Sequence, residues 1–153
     1  MSHAAQALCR SCGFCCDGTL FSVVPLTTAP PTGSRVSLRV LTRSDGSQVI
    51  EQPCGALQAE GCAIYSERPS PCRDYRCNLL IALEEGEVSL EEAQDLVGQV
   101  QALAGRLDAA LPAPATPAPL RQRIHNAALS PDLEHDARRW EALLVQHFRG
   151  RRG

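Results

Sequence analysis

Cys9-Arg10-Ser11-Cys12-Gly13-Phe14-Cys15-Cys16 places four cysteines within eight residues. The remaining four stand in the middle of the chain, as Cys54, Cys62, Cys72 and Cys77. A two-residue gap between cysteines lets two thiolates turn toward one ion, while the intervening backbone amides point at the sulfurs and offset their charge. Gly13 after Cys12 gives the C-x-x-C-G form of a zinc knuckle, in which glycine tolerates the tight turn. The run C-x-x-C-x-x-C is equally the start of an iron–sulfur ligand set. It departs from the bacterial ferredoxin run, because the fourth cysteine follows the third directly. Adjacent cysteines project apart, so Cys15 and Cys16 serve either different ions or opposite sides of one polynuclear centre.

Every cysteine lies between Cys9 and Cys77, so the chemistry belongs to the first half of the chain. No apolar leader occupies the first twenty residues and no apolar stretch approaches a membrane span, which predicts a cytoplasmic protein. Thiols there are kept reduced, so eight cysteines read as metal ligands rather than as a disulfide framework. The five-residue step from Cys72 to Cys77 puts the two about 140° apart on a regular helix. Either Cys72 sits in the first turn or the two cysteines hold different ions. Arg10, Arg68, Arg73 and Arg76, close to these positions, would balance the negative charge of bundled thiolates.

Between the two cysteine groups, Thr19 to Val24 and Arg35 to Leu41 alternate and are β-branched. Ser44-Asp45-Gly46-Ser47 followed by Gln48-Val49-Ile50 reads as a turn and return strand. A short antiparallel sheet is therefore expected, with the task of bringing the cysteine groups together. From Cys72 to Glu85 the pattern predicts one helix, with proline at its start and Gly86 at its end. Ser89 and Glu92 form a capping box ahead of Leu90, Ala93, Leu96, Val97, Val100, Leu103, Leu107 and Leu111, which recur at helical spacing. The fold class expected is α+β: a small cysteine-rich metal-binding domain with a short sheet, then a mostly helical half. Its divisions are residues 1–111 for the cysteine-cluster domain with two helices, 112–119 for a Pro/Ala linker and 120–153 for a helical hairpin.

Composition narrows the function classes. The formal net charge of -2 leaves no basic field for nucleic acid or an anionic membrane, so neither is expected as a partner. The tail Arg149, Arg151 and Arg152 is too small a patch to change that. His3, His125, His135 and His147 stand far from the central cysteines and read as ordinary helix or surface residues. Glu84-Glu85 and Glu91-Glu92 have the spacing of solvated helix ends, and no phosphate loop, H-E-x-x-H pair or G-x-S-x-G elbow is present. Asp17, Asp74 and Tyr75 read first as turn or packing residues and second as supports for the neighbouring cysteines.

The segments Cys9 to Gly18, Gln52-Pro53-Cys54, and Gly61-Cys62-Ala63-Ile64-Tyr65-Ser66-Glu67-Arg68-Pro69 continuing into Cys72-Arg73-Asp74-Tyr75-Arg76-Cys77 resemble the CxxCxxCC cysteine-cluster family. These are YkgJ-type zinc- or iron-chelating domains, and flagellin lysine N-methylases also belong to the family. The resemblance spans roughly residues 9–85. It implies eight metal-ligand cysteines, Cys9, Cys12, Cys15, Cys16, Cys54, Cys62, Cys72 and Cys77, and all eight positions are filled here. The expected cofactor is zinc or iron, the latter as an ion or an iron–sulfur cluster. Two other readings stand beside metal chelation as the function. One is a metal- or cluster-dependent enzyme of group transfer or redox chemistry, for which the sequence offers no catalytic motif beyond the cysteines. The other is a structural zinc module whose C-terminal helices meet a protein partner.

Overall fold

Short alternating runs broken by glycine and proline in the first half, and long apolar-periodic runs in the second, produce two kinds of structure. The computed structural model describes residues 1–29 and 36–149, and it is α+β. Six α-helices and five short strands are formed among them: α1 (His3–Cys12), β1 (Val23–Leu26), β2 (Val40–Thr42), β3 (Gln48–Glu51), β4 (Leu57–Gln58), β5 (Gly61–Cys62), α2 (Ser70–Asp74), α3 (Asn78–Glu84), α4 (Leu90–Ala110), α5 (Leu120–His125) and α6 (Pro131–His147). They pack as two units, one of Gly13–Tyr75 with Pro117–Pro119, the other of Met1–Cys12, Arg76–Thr116 and the described residues from Leu120 on.

The first of these, the strand unit, is built on a three-stranded antiparallel sheet in the order β1-β3-β2. Val24 stands opposite Ile50 and Val40 opposite the same residue, so β3 is the central strand. Asp45 makes the hairpin turn by accepting the Ser47 amide at 2.9 Å, and Gly46 takes the left-handed φ of 83° that the turn requires. The turn and return strand expected from Ser44 to Ile50 are thus in place. Of the two expected outer strands, β1 begins later than Thr19 and β2 is confined to the end of its run; Arg35 lies outside the described residues. Phe14, Leu20, Val24, Val49, Ile50, Ala56 and Ile64 are buried and form this unit's small core.

The helical unit is held by α4. Its Ser89 side chain accepts from Glu92 N–H at 3.1 Å while the Glu92 carboxylate takes Ser89 N–H at 2.7 Å, the reciprocal cap that the sequence predicts. Ala93, Val97, Val100, Leu103 and Leu107 are buried along one face, against α1, α3, α5 and α6. Helix α6 contributes Trp140 and Leu144, with Phe148 just beyond it, all at most 2% exposed. Asn78 fastens the start of α3 to the end of α6 through its backbone N–H to the Phe148 carbonyl and its side-chain amide to the Arg149 carbonyl.

Two expectations are corrected. The run Cys72 to Glu85 is not one helix: α2 stops at Asp74, Tyr75 is extended, and Cys77 begins α3 as its N-cap, accepting the Leu80 N–H on sulfur at 3.4 Å. A cysteine that accepts a helix's free amide cannot also lie inside that helix. The segment expected as a zinc knuckle is helical instead. Cys9 and Cys12 lie on α1, and Gly13 leaves that helix in the left-handed region at φ 73°.

Gly55 is a backbone contact point rather than a turn glycine, since a Cβ there would meet the Ser37 carbonyl oxygen at 1.9 Å. Gly55→Ala is expected to destabilise the chain by about 1–3 kcal/mol or more, because backbone rather than a movable side chain must give way. Ser89→Ala should cost about 1 kcal/mol through loss of the cap. Urea unfolding of the purified variants measures both.

Candidate metal centre

In the strand unit, separate stretches of chain carry Cys16, Cys54, Cys62 and Cys72 toward one another. Gly13 to Asp17 forms a single helical-type turn, in which the Cys16 and Asp17 amides both donate to the Gly13 carbonyl, at 2.8 and 3.0 Å. The Cys16 carbonyl then accepts Cys54 N–H at 2.7 Å, which joins the backbones of the two cysteine groups directly. After Cys54 the chain turns, with Leu57 N–H on the Cys54 carbonyl at 3.1 Å, and enters a hairpin of β4 and β5 that sets Leu57 opposite Cys62. Cys54 and Cys62 are thereby brought to the same end of one small hairpin. A 3-10 turn, Tyr65–Glu67, followed by Pro69, returns the chain to α2, where the Cys72 amide bonds the Pro69 carbonyl at 3.0 Å.

The electrostatics follow this path. Burial and then the nearby charges of Cys62, Cys54, Cys72 and Asp17 push the Cys16 thiol up to about 12. Cys72 rises to about 11, again by burial first and then by Cys54 and Cys62, with the Arg68 guanidinium pulling the other way. Burial also raises Cys54, and Cys62 adds to it, while the Ala56 amide, 3.5 Å from the Cys54 sulfur, opposes the rise. Cys16, Cys54 and Cys72 thus each feel the charge of neighbouring cysteines, Cys62 among the sources. Among the described residues no three cysteine, histidine or carboxylate side chains already stand at the spacing of a finished metal site. Protonated thiols have no attraction for each other, and an ion would supply it.

The donor set fits a soft or borderline cation. Four cysteines with a backbone amide directed at one sulfur are what zinc or iron prefers, and carboxylates suited to calcium or magnesium do not take part. Arg68 is held for its charge-balancing position by a hydrogen bond from its Nε to the Tyr65 carbonyl at 2.7 Å and by stacking 3.6 Å over the Tyr65 ring. Arg76 is committed to Glu84, at 2.7 Å, and Arg73 lies 3.7 Å from Asp74. Asp17 shapes the turn by accepting Thr19 N–H at 2.7 Å, and Tyr75 packs edge-on against Phe21 with ring centres 4.6 Å apart.

The helical unit carries three further thiols. Cys9 and Cys12 follow Ala5 and Leu8 by one turn each, so they share the face that α1 buries. The Gln101 amide on α4 donates to the Ser11 carbonyl at 3.2 Å and to that of Cys12 at 3.4 Å, fixing the end of α1. Cys77 caps α3, which packs on α1, and burial raises its thiol against the pull of the Leu80 and Leu79 amides. Cys15 leaves the Gly13–Asp17 turn about 100° from Cys16 by helical geometry.

Sequence reasoning passed over two features that shape these positions. Helix α1 was signalled by Ser2, whose hydroxyl accepts Ala5 N–H at 3.1 Å, and by the spacing of Ala5, Leu8, Cys9 and Cys12. Gln52, 3% exposed, stands two residues before Cys54; its backbone amide bonds the Ser22 carbonyl at 3.0 Å and its own carbonyl accepts from Arg39 at 3.2 Å. Nothing in its neighbours' types marks it as buried.

Residues 8–95, more than half of the chain, match the CxxCxxCC family, described as a putative zinc- or iron-chelating domain. The chain belongs to that family. No curated protein and no solved structure matches it. Among the described residues no helix is long and apolar enough to cross a membrane.

The raised thiols make a pH prediction for the metal-free chain. Between about 9 and about 12 an unfolded Cys16 has lost its proton while the folded one keeps it, so unfolding releases a proton and stability falls as pH rises through that window. Metal uptake at neutral pH must expel the same protons, about one per thiolate formed. Denaturation at stepped pH and proton release on zinc addition in weak buffer measure the two effects.

Proposed function

We propose that this chain is a metal-chelating protein in which Cys9, Cys12, Cys15, Cys16, Cys54, Cys62, Cys72 and Cys77 are the ligands of zinc or iron. The observation that carries this is the family match over residues 8–95 together with the backbone bonds that draw Cys16, Cys54, Cys62 and Cys72 from separate stretches into one small unit, Cys54 N–H to the Cys16 carbonyl and Leu57 paired with Cys62 among them. A core alone does not call for such a group. Ionising these thiols side by side is unfavourable without a cation, and a bound cation would offset that by attracting each thiolate.

Bound zinc supplies a redox-inert cross-link, whereas bound iron, as ion or iron–sulfur cluster, supplies one-electron chemistry. This chain's own residues serve either. The amides of Ala56 and Leu80 direct hydrogen bonds at the sulfurs of Cys54 and Cys77, which lowers the charge the metal feels. Arg68 adds a positive charge beside Cys72. Enclosure in a small apolar unit limits water around the sulfurs. A role in metal handling or sensing in the cytoplasm is the reading that asks for nothing further from the chain.

Anaerobic purification followed by measurement of zinc, iron and acid-labile sulfide per chain, with the visible spectrum, tests the proposal. Zinc or iron in fixed proportion to the chain is expected. A chain that carries neither and retains eight freely alkylated cysteines under native conditions would overturn it.

A further inference from the structure

We infer that the helical unit carries a docking groove for a basic amphipathic helix of a partner protein, formed where α3, α4 and the end of α6 meet. The inference stands independently of the metal-chelating reading, since none of the eight cysteines lines the groove.

The groove interrupts the way α4 otherwise buries its apolar face. Leu96 belongs by spacing to the same stripe as Ala93, Val97 and Val100, yet those three are buried and Leu96 is only half-buried. With Ile81 and Ala82 of α3 and Val88 ahead of α4, all half-buried, it lines an open depression of about 700 Å³. Val145 of α6 also lines it and is 53% exposed, the most exposed large apolar side chain among the described residues. Apolar residues scattered singly over a surface need no explanation, but a contiguous set around a depression of this size marks an interaction surface.

Charge sets the chemistry of the occupant. Glu85 and Glu87 line the α3 side of the groove, both exposed and neither with an ionic partner among the described residues. Six arginines of this unit pair with other carboxylates; among them Arg149, on the α6 side of the groove, is 3.0 Å from Glu141. A partner that covers the apolar floor therefore gains most by presenting lysine or arginine to the glutamates. The unit has no strand among the described residues, so a partner finds no sheet edge to extend. A depression among helices is filled instead by a helical ridge, with apolar side chains at i, i+3 or i+4 and i+7. The chain's own continuation, Gly150-Arg151-Arg152-Gly153, is basic but has no large apolar side chain to fill the floor.

The test is fluorescence anisotropy of two labelled synthetic peptides titrated with the full-length chain. Both carry leucine at i, i+3, i+4 and i+7; the flanking positions are lysine in one and glutamate in the other. The lysine peptide should bind saturably and about tenfold or more tightly than the glutamate peptide. Glu85→Gln with Glu87→Gln should weaken it about fivefold, and Val145→Asn about fivefold. Glu60→Gln with Glu134→Gln, which removes two charges at positions that do not line the groove, should leave the affinity as in the parent. All five positions are exposed, so the variants keep the fold, as circular dichroism checks. If the lysine peptide fails to bind, binds no better than the glutamate peptide, or binds the groove variants as tightly as the parent, the inference is overturned. Two other occupants would overturn it as well. A parent chain that sediments as a dimer and becomes a monomer in Val145→Asn assigns the groove to a second copy. Lysine-peptide binding that emerges only in Arg151→Ser with Arg152→Ser assigns it to the chain's own tail.

Discussion

The constraint on which this structure turns is the gathering of partly buried thiols in a unit with little apolar core to hold them together. Among the described residues the strand unit has a short sheet, strands of two to four residues and seven buried apolar side chains, Phe14, Leu20, Val24, Val49, Ile50, Ala56 and Ile64. Domains of that size seldom gain enough from apolar burial alone, and metal or disulfide cross-links commonly make up the difference. Here no disulfide joins the cysteines, and the groups that hold them in place are backbone ones: a carbonyl of Cys16, a hairpin, a carbonyl of Pro69. Backbone positioning leaves the side chains free to converge when a cation makes convergence favourable.

The helical unit obeys a different economy. A 21-residue helix with its cap and five buried positions organises four other helices around it, and the buried side chains are alanine, valine and leucine with one tryptophan and one phenylalanine. Such a unit has a core of its own. Its cysteines are placed by helices rather than by turns, with Cys77 occupying a capping position usually taken by serine, threonine or aspartate. A sulfur that accepts a helix amide is already oriented and partly neutralised, which suits a ligand.

Much of this was legible in the residues. The hairpin at Asp45-Gly46, the capping box at Ser89 and the apolar stripe from Ala93 to Leu107 are local patterns, and local patterns survive into the fold. The family assignment follows from the cysteine spacings together with the residues around them. The break at Tyr75 was not legible, because Cys72 to Glu85 has helical composition throughout and the break depends on Cys77 serving as a cap. Helix α1 was hidden for the opposite reason: the C-x-x-C-G spacing of a knuckle is also the spacing of two cysteines one turn apart on a helix that ends in glycine. Which thiols are neighbours is set by pairings such as Leu57 with Cys62 and Cys16 with Cys54, which join distant parts of the chain.

The discontinuity of the helical unit bears on how the chain reaches this state. Helix α1, ten residues long, is too short to persist by itself, and its partners α3 and α4 begin at Asn78 and Leu90. During synthesis the whole strand unit is made between α1 and the first surface on which α1 can rest. For that interval Cys9 and Cys12 sit on an unsupported segment, while Cys16, Cys54, Cys62 and Cys72 are all already present. In a chain built in this order the turns and strands that position Cys16, Cys54, Cys62 and Cys72 are all synthesised before α1 has a surface to pack against.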